Sequence, residues 1–453
     1  MSPDDKTFLR DFFRQLIDQA LEPDDARYVP LYQTKGVTSE DPVELIARGV
    51  EWTPRQSVQL LSGFRGTGKS TELRRLRRRL QEAGYLVVLF DIEDYINLST
   101  PVDVSDFLMA ITGAFSDALS APELLGTSPA LEGYWERFVH FLKATKVEVG
   151  EIGLDVEGGA DPVKLKTALK LSLKTDPSFK AALQKRMAGH LGSLVLHVHR
   201  FVADAVTELK RQHGVGKECV VLVDSMEHIR GTSSNADEVH RSVETLFAGH
   251  ADKLALPDLH VVYTVPPYLK VRYASLGSLY APGGIHVLPA VKLCEDRTGK
   301  RCDAGFDAIA SVVAARGNWT RLLGRREALD ELIAKSGGHI RDLLRLLAEV
   351  TRRATTLPVD AATVDKSIDQ LRNEYFPIAE QDAVWLTRIA ESHQAALEET
   401  ARLPDLARFL DTHMVLCYRN GHEWYDTHPL IKDEVRRQAA QVAARSAARA
   451  PTA

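Results

Sequence analysis

The eight residues GFRGTGKS at positions 63–70 constrain the fold of this chain more than any other segment. They match the pattern G-x-x-x-x-G-K-[ST], and they stand between a short apolar run, VQLLS, and a sequence typical of a helix over 69–82. In such a strand–loop–helix setting the glycines let backbone N–H groups face inward and cradle a polyphosphate. Lys69 is expected to reach the β- and γ-phosphates, and Ser70 to hold Mg²⁺. The loop residues predicted to contact a nucleotide are Gly63, Arg65, Gly66, Thr67, Gly68, Lys69, Ser70 and Thr71.

The helix after this loop carries five arginines within six positions, 74–79. Leu73, Leu76 and Leu80 are spaced three and four apart, which predicts one apolar stripe facing a sheet. The arginines occupy the remaining faces, and the formal net charge of the chain is −5. We therefore interpret them as the solvated outside of a sheet-covering helix rather than as a nucleic-acid patch.

Short apolar strands alternate with helical segments up to about residue 300, which predicts a mostly parallel sheet covered on both faces. A long helix is expected over 180–212, a helix over 130–146 and a small hairpin around Gly150. Beyond residue 305 the pattern is helical, and a hairpin turning on Asn420-Gly421 follows.

Four polar residues stand where strands end or a helix begins. Asp224 ends the apolar run CVVLVD and is expected to bind Mg²⁺, and Glu227 is placed to polarise an attacking water. The alternative for Glu227 is a helix cap. Thr264 ends the next strand and could bond the water or the γ-phosphate, although threonine is also an ordinary strand residue. Arg341 follows a Gly-Gly turn, where it would reach the phosphates from a helical lid or form a surface ion pair.

Together, these features resemble the AAA+ ATPases, especially the initiator/STAND branch that adds a winged helix after the lid. The resemblance implies an α/β fold, with a P-loop NTPase parallel sheet and helical insertion, followed by an all-α AAA+ lid and a winged-helix domain. Lys69 and Ser70 would be Walker A, Asp224 and Glu227 Walker B, Thr264 sensor 1 and Arg341 sensor 2. The implied domains are an N-terminal helix (1–25), a P-loop domain (26–300, insertion about 120–215), a lid (301–356), a winged helix (357–438) and a tail (439–453).

The stretch WYDTHPLIKDEV is similar to the "MHDL" stretch of STAND switches, whose histidine touches the β-phosphate of ADP. The resemblance implies that role for His428, with plain packing as the alternative, and Pro429 replaces the family's aspartate. Tyr28 and Val29 are expected to line the adenine base. Arg272 is our candidate for an arginine finger acting across a subunit interface.

The function that we predict is a Mg²⁺-dependent ATPase that acts as a regulatory switch on a protein partner, in the manner of components of bacterial conflict or defence systems. The partner would bind the insertion, or sensor and effector would lie on another polypeptide. In its ATP state the chain would form a homo-oligomer or engage the partner protein. The alternatives are an initiator-like DNA-binding ATPase and a P-loop kinase. Residues 402–437 hold six Lys/Arg and six Asp/Glu, which disfavours DNA binding by the wing.

No apolar run approaches the ~18 residues needed to span a bilayer, so we expect no membrane insertion. The chain has four cysteines, and the pair in CEDRTGKRC lacks the spacing of a zinc knuckle. Reduced thiols in a cytoplasmic protein are the prediction.

Overall fold

The computed structural model describes residues 1–38, 40–126, 137, 141, 162–232, 234–295, 299–395, 397 and 400–449. The chain forms two compact units. The sheet unit consists of Val43–Ser62 and Glu72–Val287, and the loop unit of Met1–Pro42, Gly63–Thr71 and Leu288–Ala453. The helix predicted over 130–146, apart from two positions, and the hairpin predicted around Gly150 lie outside the described residues.

The strands are β1 Ser57–Gly63, β2 Leu86–Asp91, β3 Cys219–Asp224, β4 Leu259–Val265, β5 Ile285–Leu288, β6 Cys294–Glu295, β7 Lys300–Arg301, β8 Val415–Asn420 and β9 His422–Thr427. The helices are α1 Pro3–Gln15, α2 Pro42–Trp52, α3 Lys69–Glu82, α4 Val104–Leu119, α5 Pro162–Thr175, α6 Pro177–Met187, α7 Leu191–His213, α8 Ala236–Glu244, α9 Pro267–Arg272, α10 Asp303–Ala314, α11 Trp319–Leu323, α12 Arg326–Ser336, α13 Ile340–Arg353, α14 Ala361–Asn373, α15 Glu380–Ser392, α16 Leu403–Asp411 and α17 Pro429–Arg449.

A five-stranded sheet of order β2-β3-β4-β1-β5 forms the centre of the sheet unit. The pairs β2–β3, β3–β4 and β4–β1 are all parallel. Every residue of β3 and β4 is buried, as expected for apolar strands covered by helices on both faces. The α/β parallel sheet that the sequence predicts is confirmed.

One predicted helix is divided in two. The sequence indicated a continuous helix over 180–212, whereas the structure ends α6 at Met187 and begins α7 at Leu191. Gly189 lies in the turn between them, and glycine costs a helix interior about 1 kcal/mol relative to alanine.

The arginine-rich helix α3 has the predicted apolar stripe, because Leu73, Leu76 and Leu80 are all fully buried. Its arginines are less solvated than predicted: all five are partly buried. Arg75 donates to Glu72 at 2.6 Å, and Arg79 pairs with two acids of α2. The prediction that these arginines form a solvated outer face is therefore corrected, because acids of the same unit form ion pairs with some of them.

The loop unit contains α1, the helices α10–α17 and two small hairpins. The hairpin β8–β9 turns at Gly421, whose φ of 82° is the backbone conformation that the predicted Asn-Gly turn needs. Residues from 439 onward, predicted as a separate tail, continue α17 as far as Arg449. The predicted domain boundaries remain predictions.

Among the described residues, every helix is too short or too polar to cross a lipid bilayer.

The stripe on α3 can be tested by truncation. Leu76→Ala should lower the free energy of unfolding by about 2–5 kcal/mol, because a fully buried leucine leaves a cavity when it is shortened. Urea denaturation followed by circular dichroism measures this change. Arg77→Ala, one position further along the same helix, serves as the control and should cost less than about 1 kcal/mol. Equal costs for the two variants would contradict the assigned faces of α3.

Candidate functional site

The loop between β1 and α3 has the backbone that its glycines predict. Gly66 and Gly68 have φ values of 92° and 97°, in the region that only glycine enters without strain. Lys69 is 3% exposed, and its ammonium group donates to the carbonyl oxygens of Gly63 and Phe64 at 2.9 and 2.7 Å. The lysine is therefore held against the loop backbone, where a polyphosphate would compete for its hydrogens.

Two residues from the N-terminal segment contact the loop. The Tyr32 hydroxyl lies 3.1 Å from the Thr67 carbonyl oxygen, and the Leu21 amide donates to Thr71 Oγ1 at 3.1 Å. Tyr28 and Val29, which we expect at the adenine base, are half-buried between these two contacts along the chain. Their role stays a prediction, and Tyr32 is a loop contact that the sequence pattern did not reveal.

Arg341, at the start of α13, packs directly on the loop. Its backbone amide donates to the Gly66 carbonyl oxygen at 3.2 Å. A Cβ atom added at Gly66 would lie 2.5 Å from Arg341 Cβ, so only glycine fits beneath this side chain. The guanidinium group forms an ion pair with Asp18. The structure thus brings Arg341 to the loop, and its contact with a phosphate remains a prediction.

A second residue of the same turn, His339, also reaches the loop. Its Nε2 lies 2.8 Å from the Arg65 carbonyl oxygen, and its Nδ1 lies 2.7 Å from Asp342 Oδ2. The ring contacts the ring of His413 in a tilted arrangement, with the centroids 4.6 Å apart. His413 in turn makes an edge-to-face contact with Phe64. Sequence reasoning missed these contacts, although the His-x-x-Asp spacing in GGHIRD would have placed two of the residues on one helical face.

His428 packs against this group from the beginning of α17. Its Nε2 lies 3.3 Å from Asp342 Oδ2, and its Nδ1 accepts a hydrogen bond from the Leu430 amide at 3.2 Å. The side chain is fully buried. It contacts Asp342, which contacts His339, and His339 contacts the phosphate loop. Its proposed contact with a β-phosphate stays a prediction.

The titratable groups here interact electrostatically. Burial alone would raise the pKa of Asp342, but the imidazoles of His339 and His428 outweigh it and hold that pKa well below its usual range. Burial, reinforced by the neighbouring His339, holds the pKa of His413 well below its usual range. Asp342 is therefore a carboxylate, and His413 is neutral.

In the sheet unit, two carboxylates end adjacent strands. Asp91 and Asp224 lie opposite each other in the register of β2 and β3. Ser225 connects them, since its hydroxyl donates to Asp91 Oδ2 at 2.7 Å and its amide to Asp224 Oδ1 at 2.8 Å. Ser225 adopts a left-handed backbone, with φ of 69°. Carboxylate oxygens are ligands that Mg²⁺ prefers, so the donor set fits the metal role predicted for Asp224.

Thr264 on β4 fixes the turn that follows Asp224. Its hydroxyl oxygen accepts a hydrogen bond from the Met226 amide at 3.0 Å, which leaves its own hydrogen for another acceptor. Glu227, in the short turn Met226–His228, is 5% exposed, and its Oε1 lies 3.8 Å from His228 Nε2. Because α8 begins only at Ala236, Glu227 does not cap that helix.

Two arginines are held by acids of their own unit. Arg272 is 6% exposed and pairs with Glu244 at 2.8 Å and Asp237 at 3.1 Å, so it acts across a subunit interface only if both ion pairs break. Arg408 on α16, the only Lys or Arg in the segment PDLARFLDTH, pairs with Asp382 at 2.9 Å and Asp405 at 3.4 Å.

A phosphate loop between a parallel strand and a helix, in a sheet of order β2-β3-β4-β1-β5, defines a P-loop NTPase fold. The structure is similar to the Walker-type ATPase PABY2304 of Pyrococcus abyssi at 14% sequence identity and a TM-score of 0.42, over 88% of this chain and 96% of that one. It is similar to the Aeropyrum pernix ORC2 protein in its ADP form at 11% identity and a TM-score of 0.43, over 95% and 98% of the chains. For CDC6P from Pyrobaculum aerophilum the identity is 13% and the TM-score 0.36, over 93% and 100%.

No protein-family model and no curated protein matches the chain. With TM-scores of 0.36–0.43, the structural similarities do not decide the activity, which has to be inferred from the geometry of the chain itself.

The fit of Arg341 over the loop gives a test with a matched control. Gly66→Ala and Gly68→Ala both force alanine into positive φ, at a cost of about 1–2 kcal/mol each. Only at Gly66 does the added Cβ meet Arg341, because nothing lies within 4 Å of the position at Gly68. We expect Gly66→Ala to lower the melting temperature of the nucleotide-free protein clearly more than Gly68→Ala. Equal melting temperatures would show that Arg341 does not pack on the loop.

Proposed function

We propose that the chain binds ATP with Mg²⁺ and hydrolyses the γ-phosphate. The observation that carries the proposal is the turn after β3, in which the buried Glu227 follows Asp224 and the Thr264 hydroxyl holds the intervening backbone. A phosphotransferase needs no such glutamate, since its acceptor brings its own nucleophile. An ATPase needs a group that orients and polarises water.

The loop supplies the binding contacts in this proposal. Lys69 would exchange its two backbone carbonyl partners for phosphate oxygens, which are stronger acceptors for an ammonium group because they are charged. Arg341 already lies on Gly66, so release from Asp18 would free its guanidinium for the same phosphates. Both exchanges neutralise charge that grows on the phosphoryl oxygens during transfer.

Ser70 and Asp224 would hold Mg²⁺, with Asp91 beside Asp224 as a further oxygen donor. Bound there, the ion would supply charge neutralisation of the polyphosphate. Glu227 would accept a proton from the attacking water, and His228, 3.1 Å from Glu93, positions the outer side of this turn.

We further propose that the ATPase is a switch acting on a protein partner and assembling in its ATP state. The contacts of His339 and Arg341 with the loop support this, because they tie α13 to the residues that would bind the phosphates. A role in bacterial conflict or defence is the setting that the resemblance suggests. The ion-paired state of Arg408 supports a protein partner over DNA, and the initiator-like alternative stays open to experiment.

Phosphate release and nucleotide binding test the assigned roles separately. Glu227→Gln should keep ATP binding and lower the hydrolysis rate by about 10²–10⁴-fold, because the general base is lost. Lys69→Ala should lose binding itself. Glu238→Gln, an exposed glutamate of α8, is the control and should leave both unchanged. Undiminished hydrolysis by Glu227→Gln would exclude it as the base, and phosphate transfer only to an added acceptor would indicate a kinase.

Light scattering tests the switch. The mass of wild type and of Glu227→Gln should increase with ATP-Mg²⁺ and stay low with ADP, and the variant should keep the larger assembly for longer because it does not hydrolyse ATP. If the mass is the same with ATP-Mg²⁺ and with ADP, the proposed switch is contradicted. Duplex DNA at physiological ionic strength is added as a further arm, and ATP-dependent, salt-sensitive binding there would favour the initiator-like function.

A further inference from the structure

Three side chains of the loop unit form a compact group next to the phosphate loop. His339, Asp342 and His413 each offer one ligand atom, and these atoms all lie within 4.8 Å of one another. We propose that they bind a Zn²⁺ ion whose fourth coordination position is taken by water or another small ligand. The proposal does not depend on ATP hydrolysis.

The tautomer of His339 gives the first reason. Its Nε2 lies 2.8 Å from the Arg65 carbonyl oxygen, which can only accept, so Nε2 carries a hydrogen. In the neutral ring Nδ1 then holds a lone pair, and it faces Asp342 Oδ2 at 2.7 Å. Two lone pairs at this distance repel each other, so the position between these atoms favours positive charge. A proton fits the present 2.7 Å separation, and Zn²⁺ would replace it once the two atoms move apart.

The surroundings of the group give the second reason. A histidine that binds a metal usually donates its other N–H to a backbone carbonyl, and a ligating carboxylate is itself hydrogen-bonded. His339 meets the first condition through Arg65. His428 supports the carboxylate electrostatically: because its Nδ1 accepts from the Leu430 amide, its hydrogen is on Nε2, which lies 3.3 Å from Asp342 Oδ2 without the alignment of a hydrogen bond.

The third ligand, His413, comes from the turn between α16 and β8, where its φ is 61°. Left-handed backbone at a non-glycine residue is strained and is often retained where a side chain must be aimed at a site. Two imidazoles and one carboxylate suit Zn²⁺, whereas Mg²⁺ and Ca²⁺ prefer oxygen ligands throughout. Ligand atoms around tetrahedral Zn²⁺ stand about 3.3 Å apart, so binding would draw His413 inward and separate His339 from Asp342.

The other charged group facing the carboxylate is Arg345. Its Nη1 lies 3.5 Å from Asp342 Oδ1, which leaves Oδ2 for the ion. An ion at this position would connect α13 with the turn before β8 and, through the His339 hydrogen bond, with Arg65 of the loop.

The experiment uses the full chain without an affinity tag, since a histidine tag would itself bind zinc. Metal analysis after equilibration with Zn²⁺ and removal of excess should give one ion per chain, and competition with a chromophoric chelator gives the affinity. Substitution by Co²⁺ should give the visible absorption of a tetrahedral site with nitrogen and oxygen ligands. Less than stoichiometric binding would overturn the proposal and assign the bridging cation as a proton.

Three variants locate the ion. His428→Gln should weaken Zn²⁺ binding by about 10–100-fold at unchanged stoichiometry, which is the usual effect of losing an outer partner. His413→Ala should weaken it further, because a ligand is lost. His422→Gln, an exposed histidine of β9, should bind as wild type does. If the Zn²⁺ affinity is unchanged in the first two variants, the ion is an adventitious ion only. Thiolate charge-transfer bands with Co²⁺ would mean the same, because the proposed site contains no cysteine. Should His413→Ala fail to fold, the Co²⁺ spectrum of wild type and the affinity of His428→Gln decide.

Discussion

The buried carboxylate of Asp342 is the interaction on which the loop unit depends. Removing an ionised group from water costs several kcal/mol unless nearby charges and hydrogen bonds compensate it. Here the compensation comes from His339 of the same turn, from His428 at the start of α17, and from Arg345 one turn along α13. Each of these partners is thereby held in a fixed orientation. Through His339, the same charge also fixes the carbonyl group of Arg65 in the phosphate loop.

The sheet unit also holds polar groups in buried surroundings, at the ends of its strands, and hydrogen bonds stabilise them there. Strands β3 and β4 are fully buried, and Asp224 and Thr264 place polar side chains at or next to their last residues. Ser225 satisfies both strand-end carboxylates, and Thr264 satisfies the Met226 amide. In the proposed reaction, a turn with its backbone bonded in this way would hold Glu227 in place before the substrate arrives. Such preorganisation is the largest source of catalytic power when charge moves in a water-poor site.

Local pattern was sufficient for much of the fold and for part of the site. The bounds of α3 follow from the loop motif and the apolar periodicity after it, and the loop glycines follow from the motif, because these signals lie within a short window of sequence. The partners of buried charges could not be obtained in this way. His339 and Arg65 are 274 positions apart, and Arg79 is 35 positions from Glu44, so no window of sequence contains both members. The same reason explains why the ion pairs of Arg272 with Asp237 and Glu244 were missed.

The link from Asp342 to the loop also determines what a nucleotide can do to the rest of the unit. A polyphosphate that takes Lys69 from the Gly63 and Phe64 carbonyl groups changes the hydrogen bonding of the segment that carries Arg65. His339 bonds that segment on one side and Asp342 on the other, so a Zn²⁺ ion bound as proposed would be energetically coupled to the nucleotide. By linkage the coupling is reciprocal: the factor by which the cation changes nucleotide affinity equals the factor by which the nucleotide changes cation affinity. The helices α13 and α17, which are held together by the charge of Asp342, could therefore respond to the state of the loop without touching a phosphate themselves.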